Sequence, residues 1–149
     1  MGNRILRAAL VLAAAGLLSA CSAASPGTGT RASPRTVDLT MTQRLTFEPA
    51  RITVRRGETI RFVVRNASNV GHEAYVGTDE EQQVHATKHG LVPAEDQWTT
   101  SHMGYGVHVA PLGSGELVVA FDRAYEYVIG CHYPGHYAAG MRAVIEVAE

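Results

Sequence analysis

The chain has 149 residues, 46% hydrophobic and 18% charged, with a formal charge of −1 and two cysteines. That length allows one ordinary domain, and the near-neutral charge supplies no electrostatic attraction to nucleic acid or to an anionic membrane surface.

The first twenty residues do not read as part of a fold. Arg4 and Arg7 precede an apolar run over residues 10–18, and Leu18-Ser19-Ala20-Cys21 places small residues before a cysteine. This predicts a secretory signal peptide over 1–20, with an apolar core too short to span a bilayer. The tetrapeptide resembles a bacterial lipobox, so Cys21 is expected to carry lipid after cleavage. The protein would then be exported and lipid-anchored to a bacterial membrane on its extracytoplasmic side. Removing Arg4 and Arg7 with the leader leaves eleven basic against fourteen acidic residues, a formal charge of −3. Residues 22–34 are Ser, Ala, Gly, Thr and Pro with one Arg, the composition of a flexible linker.

From residue 35 to 149 the pattern is period two, the signature of half-buried strands. Val37, Leu39 and Met41 alternate with polar residues, as do Ile52 and Val54, then Ile60, Phe62 and Val64. The alternation resumes at Leu117, Val119 and Phe121, at Tyr125, Tyr127 and Ile129, and at Ala143, Ile145 and Val147. Turn signals fall at Arg56-Gly57, at residues 113–115 and near Asp122-Arg123. Short strands at this spacing predict an all-β antiparallel sandwich or barrel. Residues 78–90 are polar and lack strand alternation, so they read as a short helical or irregular insertion. Residues 91–103 read as loop, with Trp98 as the one large apolar anchor.

The chemistry concentrates in residues 131–141, where Cys131, His136 and Met141 flank Pro134-Gly135. Thiolate, imidazole and thioether favour copper over calcium or magnesium, and two histidines, a cysteine and a weak axial methionine make a blue-copper site. Strand parity places Cys131 on the face of Tyr125, Tyr127 and Ile129, and Met141 on the face of Ala143, Ile145 and Val147. Both sulfurs are then expected at one end of the core. The second histidine is expected to be His72, which heads a strand sharing one face with Ala74 and Val76. Zinc also accepts Cys and His, but an axial Met is unusual for it.

These residues resemble those of the cupredoxins, the single-domain type 1 blue-copper proteins of which rusticyanin and plastocyanin are members. The spacing Cys131-x4-His136-x4-Met141 before a last strand carries the resemblance, supported by residues 51–58 as a first hairpin. It implies a Greek-key β-sandwich over 35–149 holding one copper ion, cycling between Cu(I) and Cu(II), on His72, Cys131, His136 and Met141. The carbonyl of Gly71 takes the position of a weak axial contact. Two departures stand out. Glu73 follows the first histidine where many cupredoxins have Asn or Ser, and parity turns it away from the metal, where it could act only from behind the ligands. Gly130 precedes Cys131 and only His132 follows, so the two flanking histidines of a multicopper oxidase are not present.

With no coordination position left for a substrate, the resemblance argues against an enzyme. It implies a monomeric one-electron carrier with a redox partner protein. The competing reading is a copper chaperone or copper-resistance protein that sequesters the metal and meets a copper-trafficking protein. His85, His89, His102 and Met103 are the candidates for a secondary copper surface. His132 is expected beside the site rather than in it, and the Asn66-Ala67-Ser68 sequon carries no weight in a bacterial lipoprotein.

Overall fold

A computed structural model describes residues 28–89 and 106–149. Among the described residues, nine strands and one helix follow in order: β1 (Arg35–Met41), β2 (Phe47–Glu48), β3 (Arg51–Arg55), β4 (Glu58–Asn66), β5 (His72–Gly77), α1 (Asp79–His89), β6 (Gly106–Val109), β7 (Ser114–Phe121), β8 (Glu126–Gly130) and β9 (Arg142–Ala148). One sheet runs β2-β1-β4-β7 and the other β3-β9-β8-β5-β6. The expected alternation builds both inner faces. Ile60, Phe62 and Val64 of β4 meet Leu117, Val119 and Phe121 of β7 along one sheet, and Ile52, Val54, Ala143 and Ile145 line the other. Phe62 packs edge-on against Phe121 at 6.4 Å between ring centres.

Three features depart from the expectation. The sandwich is mixed, not purely antiparallel: β1 runs parallel to β4, and β3 parallel to β9. Tyr125 is 53% exposed and lies before β8, not on its inward face. Its amide donates to the Arg123 carbonyl, which keeps residue 125 in the turn. The expected linker also reaches the domain before residue 35. Gly29 is buried, accepts a hydrogen bond from the Thr59 amide and donates its own to Glu58 Oε1. A side chain at residue 29 would meet the Thr59 carbonyl oxygen at 2.2 Å, so glycine is needed for this close approach.

Glu58 anchors that corner. Burial alone would raise its pKa, but the Arg35 guanidinium and the amides of Arg55 and Gly29 outweigh it and hold the carboxyl below its ordinary value. Glu58→Gln is expected to cost about 1–3 kcal/mol, the range for weakening a buried charged hydrogen-bond set. A urea denaturation series at neutral pH measures it.

The insertion is helical. Thr78 and Glu81 cap α1 reciprocally, the Glu81 amide donating to Thr78 Oγ1 at 3.3 Å and the Thr78 amide to Glu81 Oε2 at 2.7 Å, a capping box. Asp79, Glu80 and Glu81 place negative charge in the first turn, where the helix dipole favours it. Because α1 lies against the outer face of β5, all six residues of that strand are buried. Residues 1–27, with Cys21, and residues 90–105, with Trp98, His102 and Met103, lie outside the described residues.

Candidate metal centre

Sheet order explains why distant residues meet. Strand β8 lies between β5 and β9 and runs antiparallel to both. The end of β8, the start of β5 and the start of β9 therefore share one edge of the sandwich. Cys131 follows β8, His72 opens β5 and Met141 precedes β9. The loop between β8 and β9 is wound tight by its own backbone. The His136 amide donates to the Tyr133 carbonyl, the Met141 amide to His136 and the Cys131 amide to Met141, at 2.9, 3.0 and 3.2 Å. Gly140, at φ +95°, supplies a left-handed turn that a side chain would strain.

This geometry brings His72, Cys131 and His136 together, with one donor atom from each lying within 4.8 Å of the other two. His72 Nδ1 and His136 Nδ1 are 3.2 Å apart, and Cys131 Sγ is 3.8 Å and 3.4 Å from them. His72, Cys131 and Met141 are fully buried, while His136 is only partly so. Both sulfurs belong to the same apolar cluster, at the end where parity put them. Gly71 is buried beside His72.

The donor set fits a soft cation. Burial lowers the pKa of His72 to about 4, with the charge on His136 adding to the effect, and burial also lowers that of His136. Both rings are thus neutral at pH 7 and able to ligate. Burial pushes the Cys131 thiol up to about 12, against the pull of amides from Glu73 and Tyr133, and the charge of Glu73 raises it further. A thiolate in this pocket requires a cation beside it, and metal binding supplies one as the proton leaves. Two imidazoles, a thiol and a methionine suit copper.

The surroundings hold residues that carried no signal in the sequence. Asn66 Nδ2 donates to the carbonyls of Val70, Val109 and Ala110, and its Oδ1 accepts from the amide and hydroxyl of Ser68. The sequon thus ties together the two loops beside His72. Asn66, 1% exposed, is a structural side chain; polar residues between strands look alike until their partners are known. Gly130 accommodates α1, since a side chain there would meet Gln82 Oε1 at 2.6 Å and the Tyr137 ring at 2.7 Å.

Glu73 does turn away from His72, as parity requires, yet it is buried. Its Oε1 lies 2.7 Å from His85 Nε2 and 3.7 Å from His108 Nε2, and its Oε2 accepts the His132 amide. His85, a candidate for the secondary copper surface, instead lies on the inward face of α1, 6% exposed and stacked on Tyr75 at 3.8 Å. Helical periodicity turned it inward. His89 is the last residue of α1. His132 stands beside the site, half-buried and stacked on Tyr137 at 4.6 Å.

Comparison with known proteins agrees with this geometry. The model of the copper binding proteins of the plastocyanin/azurin family matches residues 35–148. A copper-resistant cuproprotein named CopI from Rubrivivax gelatinosus is 40% identical over 117 residues, 78% of this chain and 67% of that protein. One of the same name from Pseudomonas aeruginosa is 29% identical over 120 residues, 64% of this chain and 66% of that protein. The chain thus spans about two thirds of the length of these relatives. Auracyanin from Roseiflexus castenholzii superposes with a TM-score of 0.65 at 23% identity, covering 83% of this chain and 100% of that one. Auracyanin A, a "blue" copper protein from Chloroflexus aurantiacus, gives 0.65 at 20% identity, covering 78% and 100%. These two likenesses show the fold. With the family match and the donor set together, this chain belongs to the plastocyanin/azurin family of copper binding proteins, and is a cupredoxin whose site is that of one type 1 copper.

Proposed function

We propose that the protein is an exported, membrane-tethered one-electron carrier, with His72, Cys131, His136 and Met141 as its copper ligands. The observation that carries this reading is the convergence of His72 Nδ1, His136 Nδ1 and Cys131 Sγ at one buried point. Bound there, copper supplies a one-electron couple. The chain's part is to keep the donors still. His72 and the residues beside Cys131 and Met141 are held by three hydrogen-bonded strands, so the donor positions change little with oxidation state. Met141 and the apolar cluster exclude water and tune the potential. His136 is the partly exposed ligand, with Tyr133 packed at 5.8 Å and Pro134 exposed beside it. Its ring edge is the exit towards a redox partner protein. The four donors leave no place for a substrate, which favours a carrier over an enzyme.

A second reading, sequestration of copper, is favoured by the names of the two relatives, both copper-resistant cuproproteins. Against a storage role stand only three methionines after residue 20 and the burial of His85. Titration of the full mature protein with copper, followed by voltammetry, separates the two. A carrier takes up one copper per chain, develops an intense thiolate band and gives a reversible wave. Uptake of two or more Cu(I) per chain, or a wave that does not reverse, overturns the carrier reading in favour of sequestration. Lipidation of Cys21 is tested separately by the mass of the mature N-terminus.

A further inference from the structure

The inward face of α1 is polar. Gln82 is 1% exposed and His85 6%, three residues apart on the side that meets the sheet. Burying an amide and an imidazole costs free energy unless each polar atom is paired. Both side chains pair buried polar groups beneath the helix, so the groups they hold decide their role.

Their partners lead to Cys131. Gln82 Nε2 donates to the carbonyls of Tyr75 on β5 and Val128 on β8, at 3.0 and 2.7 Å. Both amide hydrogens are thereby used. Gln82 Oε1 can only accept, so the His132 Nε2 atom 2.7 Å away carries the proton and donates it. The His132 ring is held against α1 by this bond and against Tyr137 by stacking. From His85 a second chain runs through Glu73. His85 Nε2 meets Glu73 Oε1 at 2.7 Å, Glu73 Oε2 accepts the His132 amide at 3.3 Å, and the Glu73 amide donates to Cys131 Sγ at 3.4 Å. Residue 132 is thus gripped through its ring and through its backbone. The sulfur of residue 131 is gripped from β5.

We infer that Gln82 and His85 are positioning residues, which fix the direction of Cys131 Sγ from α1 by way of Glu73 and His132. Neither touches the copper ligands. They act by removing the slack in the backbone on the C-terminal side of Cys131 and in the amide that faces its sulfur. This rests on the copper site proposed above for its spectroscopic consequence, but not for its mechanical one.

His85→Phe tests it, because phenylalanine keeps the stack on Tyr75 and deletes the Nε2 contact; Gln82→Met is the companion variant. Val84→Ala, at an exposed position of the same helix, is the control. In the copper-free protein, the rate of Cys131 alkylation by iodoacetamide should rise about tenfold in His85→Phe, as loss of one hydrogen bond to a charged group eases local opening. The far-UV spectrum should stay that of the parent. In the Cu(II)-loaded protein, the intensity ratio of the two thiolate bands should shift in His85→Phe and in Gln82→Met, and not in Val84→Ala. Should Gln82→Met fail to fold, His85→Phe decides alone. A folded His85→Phe protein with parental alkylation rate and band ratio overturns the inference, as does an equal change in Val84→Ala. If the parent develops no thiolate band while the alkylation difference stands, the copper reading fails and the positioning of Cys131 survives.

Discussion

Cys131→Ser is expected to abolish the intense visible colour of the copper-loaded protein while leaving the β-sandwich folded. The colour of a type 1 site comes from charge transfer out of the thiolate, and serine offers a hard hydroxyl that copper does not deprotonate at pH 7. Affinity should fall by more than the ~10–100-fold that follows loss of a partner behind a ligand, because here a ligand itself is lost. The fold is expected to tolerate the change. Serine is close in size, and the Glu73 amide that donates to Sγ at 3.4 Å can donate to a hydroxyl instead. Copper-free stability should fall by about 1–3 kcal/mol, since residue 131 lies at 0% exposure in the apolar cluster and a buried hydroxyl is only partly paired there. Absorption and electron paramagnetic resonance spectra of the loaded variant, beside far-UV dichroism of the copper-free one, make the comparison. Retained colour would refute Cys131 as the thiolate ligand.

The second large effect is on pH stability of the copper-free protein. Folded His72 takes up its proton only near pH 4, against 6.5 for an ordinary histidine, because it is buried and faces His136. Between those values the unfolded chain holds a proton that the folded protein refuses, so acid favours unfolding. Stability should be fully present above about pH 6.5 and decline by up to about 3 kcal/mol towards pH 4 from His72 alone. His136, lowered by the same burial, adds in the same direction. Protonation of Glu58, whose carboxyl is held below 4.5, extends the loss further into acid. Cys131 acts at the other end. Its folded thiol stays protonated up to about 12 while the unfolded one ionises near 9, so stability should fall again as pH rises above about 9. Copper competes with protons for the same donors, and the loaded protein should therefore resist acid to a lower pH. Urea midpoints from pH 4 to pH 10, with and without copper, measure both limbs. A copper-free profile flat between pH 6.5 and 4 would contradict the burial of two neutral histidines at the site.

Much of this is legible in the sequence because it is local. Cys131, His136 and Met141 lie in one loop, so their spacing carries the motif without any knowledge of topology. Period-two alternation marked the inner faces of β1, β3, β4, β7 and β9 because one face of each is apolar and the other wet. Parity failed at Tyr125 for a local reason, since a turn ends the alternation one residue before β8 begins. It placed His72 on the core side of β5 and Glu73 on the other. It could not say that α1 would cover that other side.

What the amino-acid sequence determined by itself was the soft donor set, the strand faces and the family to which both belong. The tertiary structure decided the rest. The parallel pairing of β1 with β4 and of β3 with β9 depends on how crossing connections lay strands side by side, which no local pattern encodes. The inward turn of Gln82 and His85 is invisible to hydrophobic periodicity because both are polar, and a polar residue reads as solvated until its partners are seen. Glu73 changes most. In the sequence it is a charge in an unusual place, and in the fold it is the buried link between α1 and the backbone that holds Cys131.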